Sequence, residues 1–116
     1  MDGEDRLLTI RVTKIFTKPD LERAQAGALA AIQKHGKVRV LVITSNFLGW
    51  DTAGDWGDVS FAAAHDQHIE KIAIVGEQQW EDLALAFMGK GFRRVAIEYF
   101  LAADLAKARA WVTATP

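Results

Sequence analysis

Apolar and polar residues alternate near the start of the chain, where residues 8–12 read Leu-Thr-Ile-Arg-Val. A period of two predicts a strand with one buried and one wetter face, and we expect it near a sheet edge. Apolar residues at helical spacing follow it. Thr17 precedes Pro19, which suits the first turn of a helix, and Gly36 predicts the end of that helix.

Three later segments are apolar at both odd and even positions, namely residues 38–44, 72–75 and 95–100. This pattern is typical of strands that helices cover on both sides, as in parallel sheets, and we expect 38–44 to be central. Helical patterns cover residues 80–87 and 101–112. The alternation of strands with helices predicts an α/β fold with a mostly parallel, four-stranded sheet.

The stretch 46–58 is unusual, because it combines three glycines with Phe47, Leu48, Trp50 and Trp56. It follows the expected central strand, at the carboxyl end where open α/β sheets place their ligands. We predict that it is a loop, which either folds back over the core or binds something, and that residues 59–69 form a helix.

The composition favours one small domain over residues 1–116. Half of the 116 residues are apolar, which suffices for a core, and the absence of cysteine excludes disulfides and thiolate chemistry. Neither a signal peptide nor a membrane-spanning stretch is evident, so we expect a cytoplasmic protein. The formal net charge of −1, with both signs interspersed, argues against nucleic acid as a partner.

The candidate chemistry is sparse. His65 and His68 are spaced for one helix face with acidic residues nearby, but no motif provides a third ligand, and we predict no metal and no cofactor. Ser45 lacks the glycine frame of a nucleophile elbow, and we predict no catalytic residues. The aromatic residues are the better candidates for a binding site, because loop aromatics between glycines often make contacts. The predicted binding residues are Phe47, Leu48, Trp50, Asp51, Trp56, Phe61, His65 and Trp80.

A set of ordered motifs resembles a known family. These motifs are His-Gly-Lys-Val-Arg at 35–39, Phe-Leu-Gly-Trp at 47–50, Trp-Gly-Asp-Val-Ser-Phe at 56–61 and Ile-Glu-Lys-Ile-Ala-Ile-Val-Gly at 69–76. Together with His65 and Trp80 they resemble the SpoIIAA-like family of the STAS superfamily, over about residues 7–112. The resemblance implies a STAS-like layer of helices against a mixed sheet, related in shape to SEC14-type domains, and no established activity.

Two departures from the family pattern affect this interpretation. Family members carry an additional strand before the segment that corresponds to 7–13, and only six polar residues precede that segment here. We therefore expect an edge that is open or paired with another copy. The phosphorylated serine of the STAS regulators has only Thr52 as a counterpart, a weak candidate for phosphorylation.

Two functions remain open. In the first, an apolar or amphipathic small molecule lies under the 46–58 loop, with aromatic side chains for contact area and Asp51 or His65 as a polar anchor. In the second, the chain is a protein-interaction module of the STAS type that uses the loop or the open edge to bind a partner protein or a second copy of itself. A peripheral membrane contact through the loop aromatics is a third alternative.

Overall fold

The computed structural model describes residues 2–4, 7–51 and 60–114. The strands and helices follow in the order β1 (Asp2–Glu4), β2 (Leu7–Phe16), α1 (Lys18–His35), β3 (Val38–Trp50), α2 (Ser60–His65), β4 (Ile69–Gly76), α3 (Glu81–Met88), β5 (Ala96–Leu101) and α4 (Leu105–Thr113). Short 3-10 helices precede β4, α3 and α4. The predicted alternation of strands and helices is confirmed.

The strands form one mixed sheet in the order β1-β2-β3-β4-β5. The four predicted strands, β2 to β5, are parallel, and β3 is the central one, as expected. A short strand, β1, is added antiparallel to β2 with Asp2 opposite Thr9, so the expectation of an open edge is wrong over this part of β2. Among the described residues, pairing on that side of β2 stops at Thr9.

Helix α1 begins at a capping box. The Thr17 hydroxyl accepts a hydrogen bond from the Asp20 N–H at 3.3 Å, and the Asp20 carboxylate accepts one from the Thr17 N–H at 3.1 Å. These bonds to Thr17 lower the pKa of Asp20, and the nearby Arg23 adds to the effect. Gly36 ends the helix at φ 83°, and its N–H donates to the Ile32 carbonyl at 2.7 Å. The predicted bounds of this helix are confirmed.

The two faces of the sheet are covered unequally. Helices α1, α2 and α3 cover one face, which we call the cavity face, and α4 covers the other. The packed core of the cavity face includes Leu8, Ala28, Ile32, Val38, Val40, Ile72, Ile74 and Ile97. The core under α4 is made by Leu41, Ala73, Val75, Ala108 and Val112.

Basic side chains from two central strands hold the carboxyl end of α4. The Arg39 guanidinium donates to the carbonyls of Val112 and Ala114, at 3.0 and 2.6 Å. The Lys71 ammonium donates to the Trp111 carbonyl at 2.9 Å and lies 5.0 Å from the centroid of that indole. Cations at this end of a helix pair with carbonyls that lack intrahelical partners, which fixes α4 against its face.

Two predicted helices are shorter than expected. The helix predicted over 59–69 ends at His65, because a 3-10 turn over Asp66–His68 leads directly into β4. The helix predicted over 101–112 begins at Leu105, since Leu101 still belongs to β5, where it is opposite Gly76. Sheet pairing extends β4 and β5 beyond the segments that the apolar pattern marks.

Candidate functional site

Strand β3 is longer than the apolar pattern predicts. It continues to Trp50, so the prediction of a loop that begins at Asn46 is wrong over residues 46–50. The strand continues because β2 pairs with it to its end, with Phe16 opposite Trp50. Phe47, Leu48 and Trp50 are therefore strand residues. Trp56 and Thr52 lie outside the described residues.

Two β-bulges change the direction of the side chains at the end of β3. Lys14 pairs with Phe47 and Ile15 pairs with Gly49, so that Asn46 and Leu48 have no opposite residue on β2. Asn46 has φ 50° and Gly49 has φ 108°, values that suit asparagine and glycine. Bulges of this kind bend a strand and redirect its side chains.

The redirected residues share one side of the sheet. Phe47 and Trp50 are three positions apart, a separation that would put them on opposite faces of a regular strand. Both nevertheless line the same cavity. Leu48 is 64 % exposed and does not line it. The bulges therefore decide which of the predicted aromatic residues face the cavity.

Five aromatic rings form a continuous cluster at this end of the sheet, which we call the aromatic cluster. The ring centroid of Phe47 lies 5.1 Å from that of Trp50 and 5.0 Å from that of Trp80. Phe87 lies 5.2 Å from Trp50 and 6.2 Å from Phe16. These separations are those of attractive edge-to-face and tilted aromatic pairs. The cluster joins the ends of β2 and β3 to α3 and the turn that precedes it.

A cavity of about 1190 Å³ lies between the cavity face of the sheet and the helices that cover it. Its floor consists of apolar side chains of the sheet, and its sides come from α1, α2 and α3. The aromatic cluster closes one end. The lining includes Ile10, Val12, Val40, Val42, Ile72 and Ile74 from the sheet, and Leu21, Ala24, Ala28, Phe61, Ala62, Ala63, Ala84 and Met88 from the helices.

At the carboxyl end of the sheet, two hydroxyls of the lining already have partners, whereas the Trp80 indole N–H is buried without one among the described residues. The Thr44 hydroxyl donates to the Val75 carbonyl at 2.8 Å, and the Tyr99 hydroxyl donates to the Glu77 carbonyl at 2.6 Å. Gly76 lies between them, and a Cβ there would be 2.5 Å from each of the two hydroxyl oxygens. Burial, with Glu81 and Glu77 nearby, raises the pKa of Tyr99 to about 12. Its phenol therefore keeps its proton to a higher pH than an ordinary tyrosine does.

A salt bridge lies at the opposite end of the cavity. The Arg93 guanidinium donates to both carboxylate oxygens of Asp66, at 2.8 and 2.6 Å, and also to the Met88 carbonyl at 3.0 Å. It joins the turn after α2 to the turn after α3, and both side chains line the cavity.

The structure brings together four of the predicted binding residues. Phe47, Trp50, Trp80 and Phe61 line the cavity. His65 lies behind Phe61, with ring centroids 4.6 Å apart, but is not part of the lining. The Asp51 N–H donates to the Phe16 carbonyl at 2.9 Å, and Asp51 does not line the cavity either. The two predicted polar anchors are thus adjacent to the lining rather than in it.

Sequence reasoning missed several lining residues. Phe16 is the last residue of β2, and the polar and exposed residues around it gave no sign that it lines a cavity. Tyr99 lies in an apolar run that resembles ordinary core. Arg93 and Arg94 follow Gly91 in a short polar stretch, where the local sequence carries no signal of a cavity. The one available signal for Tyr99 was a hydroxyl in an otherwise apolar strand.

The described residues contain no group of three or more His, Cys, Asp or Glu side chains arranged to hold a metal ion. In the described part of the chain, no helix has the length and apolar character needed to span a membrane.

Comparison with known families agrees with this architecture. The SpoIIAA-like family model matches residues 7–113, nearly the whole chain. No curated protein matches the sequence of this chain. The family is of the STAS type, and its members are generally not catalytic. Membership therefore indicates a regulatory or protein-interaction module. The chain belongs to the SpoIIAA-like family.

Proposed function

We propose that this chain is a carrier or sensor that binds an apolar or amphipathic small molecule in the cavity. The observation that carries the proposal is the cavity itself, about 1190 Å³ of space against an apolar sheet face. Ligand pockets for small molecules are typically about 300–1,000 Å³ and mostly apolar, with few polar groups. The volume of this cavity lies just above that range, so it has room for such a ligand, and its lining is mostly apolar.

The helices leave this space in part because several of their inward residues are small. Ala24 and Ala28 of α1, Ala62 and Ala63 of α2 and Ala84 of α3 all line the cavity. Protein interiors are normally filled to the density of organic crystals, and apolar voids cost stability. A ligand that occupies the space recovers the missing contacts, which is the physical reason for binding.

The lining at the sheet's carboxyl end is mostly aromatic and suits an apolar part of the ligand, although the buried Trp80 indole N–H has no hydrogen-bond partner among the described residues. The hydroxyls of Thr44 and Tyr99 donate to backbone carbonyls, and the aromatic cluster surrounds them. Aromatic side chains provide large contact area with little loss of rotamer freedom. An alkyl chain or ring system is the chemical group that fits this end.

A series of straight-chain alcohols tests the proposal. Each added methylene group removed from water contributes about 0.8 kcal/mol, so affinity rises up to roughly fourfold per carbon until the cavity is full. Titration calorimetry of the intact chain with octanol, decanol and dodecanol measures this slope. Affinity that does not depend on chain length would contradict the proposal.

A filled cavity provides the matched control. Ala24→Phe places a ring into the cavity from α1, and we expect at least about tenfold weaker dodecanol binding, because the lost methylene contacts exceed 1.4 kcal/mol. Ala106→Phe makes the same change at an exposed position of α4, on the other face of the sheet, and leaves binding unchanged. Equal effects of the two variants would argue against the cavity.

A second candidate is association with another copy of the chain, and exposed apolar residues favour it. Ile15 is 48 % and Leu48 64 % exposed, and both lie at the end of the β2–β3 pair. Pairing on the outer side of β2 stops at Thr9 among the described residues, which leaves a strand edge next to this patch. Isologous contact between two such edges buries the patch.

Sedimentation velocity over a range of concentrations tests this alternative. A dimer that Leu48→Asp dissociates supports self-association through the patch. The control is Leu83→Asp, which alters a comparably exposed leucine of α3, 56 % exposed, away from the strand edge. A monomer at all concentrations would leave ligand binding as the only proposal.

A further inference from the structure

The turn between α3 and β5 exposes a large aromatic side chain. Phe92 is 96 % exposed, more than any other large apolar residue among those described. It also borders the cavity, together with Arg93 and Arg94. A residue that is both exposed and part of the lining lies at the mouth of a cavity. Residues 89–94 therefore form one side of this mouth.

Backbone hydrogen bonds hold the turn in place. The N–H groups of Phe92 and Arg93 both donate to the Gly89 carbonyl, at 3.0 and 3.2 Å. The Lys90 N–H donates to the Leu85 carbonyl at 3.1 Å, which ties the turn to α3. Positive φ values at Gly89 and Gly91, 76° and 91°, allow this compact path. The exposure of Phe92 is thus built into the turn.

Among the described residues, one cation at the mouth has no acidic partner. Arg93 pairs with Asp66, Lys90 with Glu98 at 3.5 Å, and Arg39 holds the nearby Glu70. Within the described residues, Arg94 forms no salt bridge, and its side chain is exposed. Within the described part of the chain, Arg94 is thus a cation at the mouth that no carboxylate neutralises, and it lies next to the exposed phenyl ring of Phe92.

We propose that the ligand is a single-chain amphiphile with an acidic head. This inference rests on the proposed binding of a small molecule in the cavity and specifies its class. The alkyl tail lies along the apolar sheet floor, and its first carbons cover Phe92. The carboxylate or phosphate head stays at the mouth and pairs with Arg94, whose planar guanidinium matches either group.

Three probes of equal chain length test the head: dodecanoate, dodecyl phosphate and 1-dodecanol. Titration calorimetry at low ionic strength measures each with the intact chain. We expect Arg94→Gln to weaken binding of an acidic probe by up to about fivefold, the worth of an exposed ion pair, and to leave dodecanol unchanged. An effect on dodecanoate alone identifies a fatty-acid head, and an effect on dodecyl phosphate alone identifies a phosphate ester.

Two further variants make the test specific. Arg109→Gln removes an exposed arginine from α4, on the far face of the sheet, and should change none of the three affinities. Phe92→Ser removes contact with the tail and should weaken all three probes alike. Because both positions are on the surface, the variants keep the folded core.

The outcomes separate this inference from the one on which it rests. If dodecanol binds and Arg94→Gln changes all three affinities equally, or none, the acidic head is wrong and the cavity proposal stands. If none of the three probes binds the wild-type chain, both proposals fail. The inference is supported if Arg94→Gln weakens binding of an acidic probe and leaves dodecanol binding unchanged, while Arg109→Gln changes none of the three affinities.

Discussion

The guanidinium of Arg93 donates two hydrogen bonds to the carboxylate of Asp66, at 2.8 and 2.6 Å, and so connects the turn after α3 to the turn after α2. Their side chains are only 19 % and 18 % exposed, so solvent screens the pair less than a surface salt bridge. Arg93 donates a third bond to the Met88 carbonyl. Arg93 thereby links the turn after α2 to the end of α3.

We expect Arg93→Lys to destabilise the fold by about 1–3 kcal/mol, because an ammonium cannot make the paired contacts of a guanidinium. Urea unfolding of the wild type, Arg93→Lys, Asp66→Asn and the double variant measures the coupling. Strictly additive single effects would show that the two side chains act independently. Lys90→Gln, at the more exposed pair with Glu98, is the control and should cost less than about 1 kcal/mol.

Tyr99 should titrate about two pH units above an ordinary tyrosine, whose pKa is about 10. Burial is the main cause, followed by repulsion from Glu81 and Glu77, and together they raise the pKa to about 12. Tyr99 is the one tyrosine in the sequence, so the ultraviolet absorbance of phenolate reports it alone. Glu81→Gln should lower the midpoint.

The same shift affects stability at high pH. The folded chain holds the phenol proton more tightly than the unfolded chain, so stability declines as the pH rises from about 10 towards about 12. Tyr99→Phe should therefore lose less of its free energy of unfolding than the wild type over this pH range, as urea unfolding at each pH would measure. Equal pH dependence in the two proteins would contradict the assignment.

Gly76→Ala should destabilise the fold by roughly 1–3 kcal/mol, as overpacking of a filled site does. The new methyl group would lie 2.5 Å from the hydroxyl oxygens of Thr44 and Tyr99, and 3.4 Å from the ring carbon that bears the phenol oxygen. Thermal unfolding measures the loss. Tyr99→Phe should cost less in the Gly76→Ala background than in the wild type, because it removes one of the two clashing atoms.

The capping box of α1 should make folding sensitive to acid. Hydrogen bonds from Thr17 hold the pKa of Asp20 below 3.8, so its contribution is present above that pH and is lost as the pH falls through the lowered value. Wild type should therefore lose more stability on acidification than Asp20→Asn. Thr17→Ala should cost about 0.5–2 kcal/mol at neutral pH, the usual range for a lost N-cap.

Local patterns of residues determined much of the fold. Alternation predicted β2, apolar runs predicted the other parallel strands, and Thr17, Pro19 and Gly36 marked α1 at both ends. These signals work because helix caps and the side-chain periods of strands and helices depend on near neighbours in the chain. The ordered motifs likewise indicate the family, because they depend only on the order of residues along the chain.

The sequence also predicted that Phe47, Trp50, Phe61 and Trp80 would lie close together near one end of the sheet, because loop aromatics between glycines often make contacts. The tertiary structure decided how they are held. Two bulged residues, Asn46 and Leu48, turn Phe47 and Trp50 to one side, and they arise from pairing with β2, which is distant in sequence. No local pattern contains that register.

The cavity and its mouth were decided by tertiary structure alone. Alanines at helical spacing, such as Ala24 and Ala28, predict a close approach of helix to sheet as readily as an unfilled space between them. Which of the two occurs depends on the positions of α1, α2 and α3 relative to one another. The sequence determined the elements and their apolar faces, and long-range packing determined the space that those faces enclose.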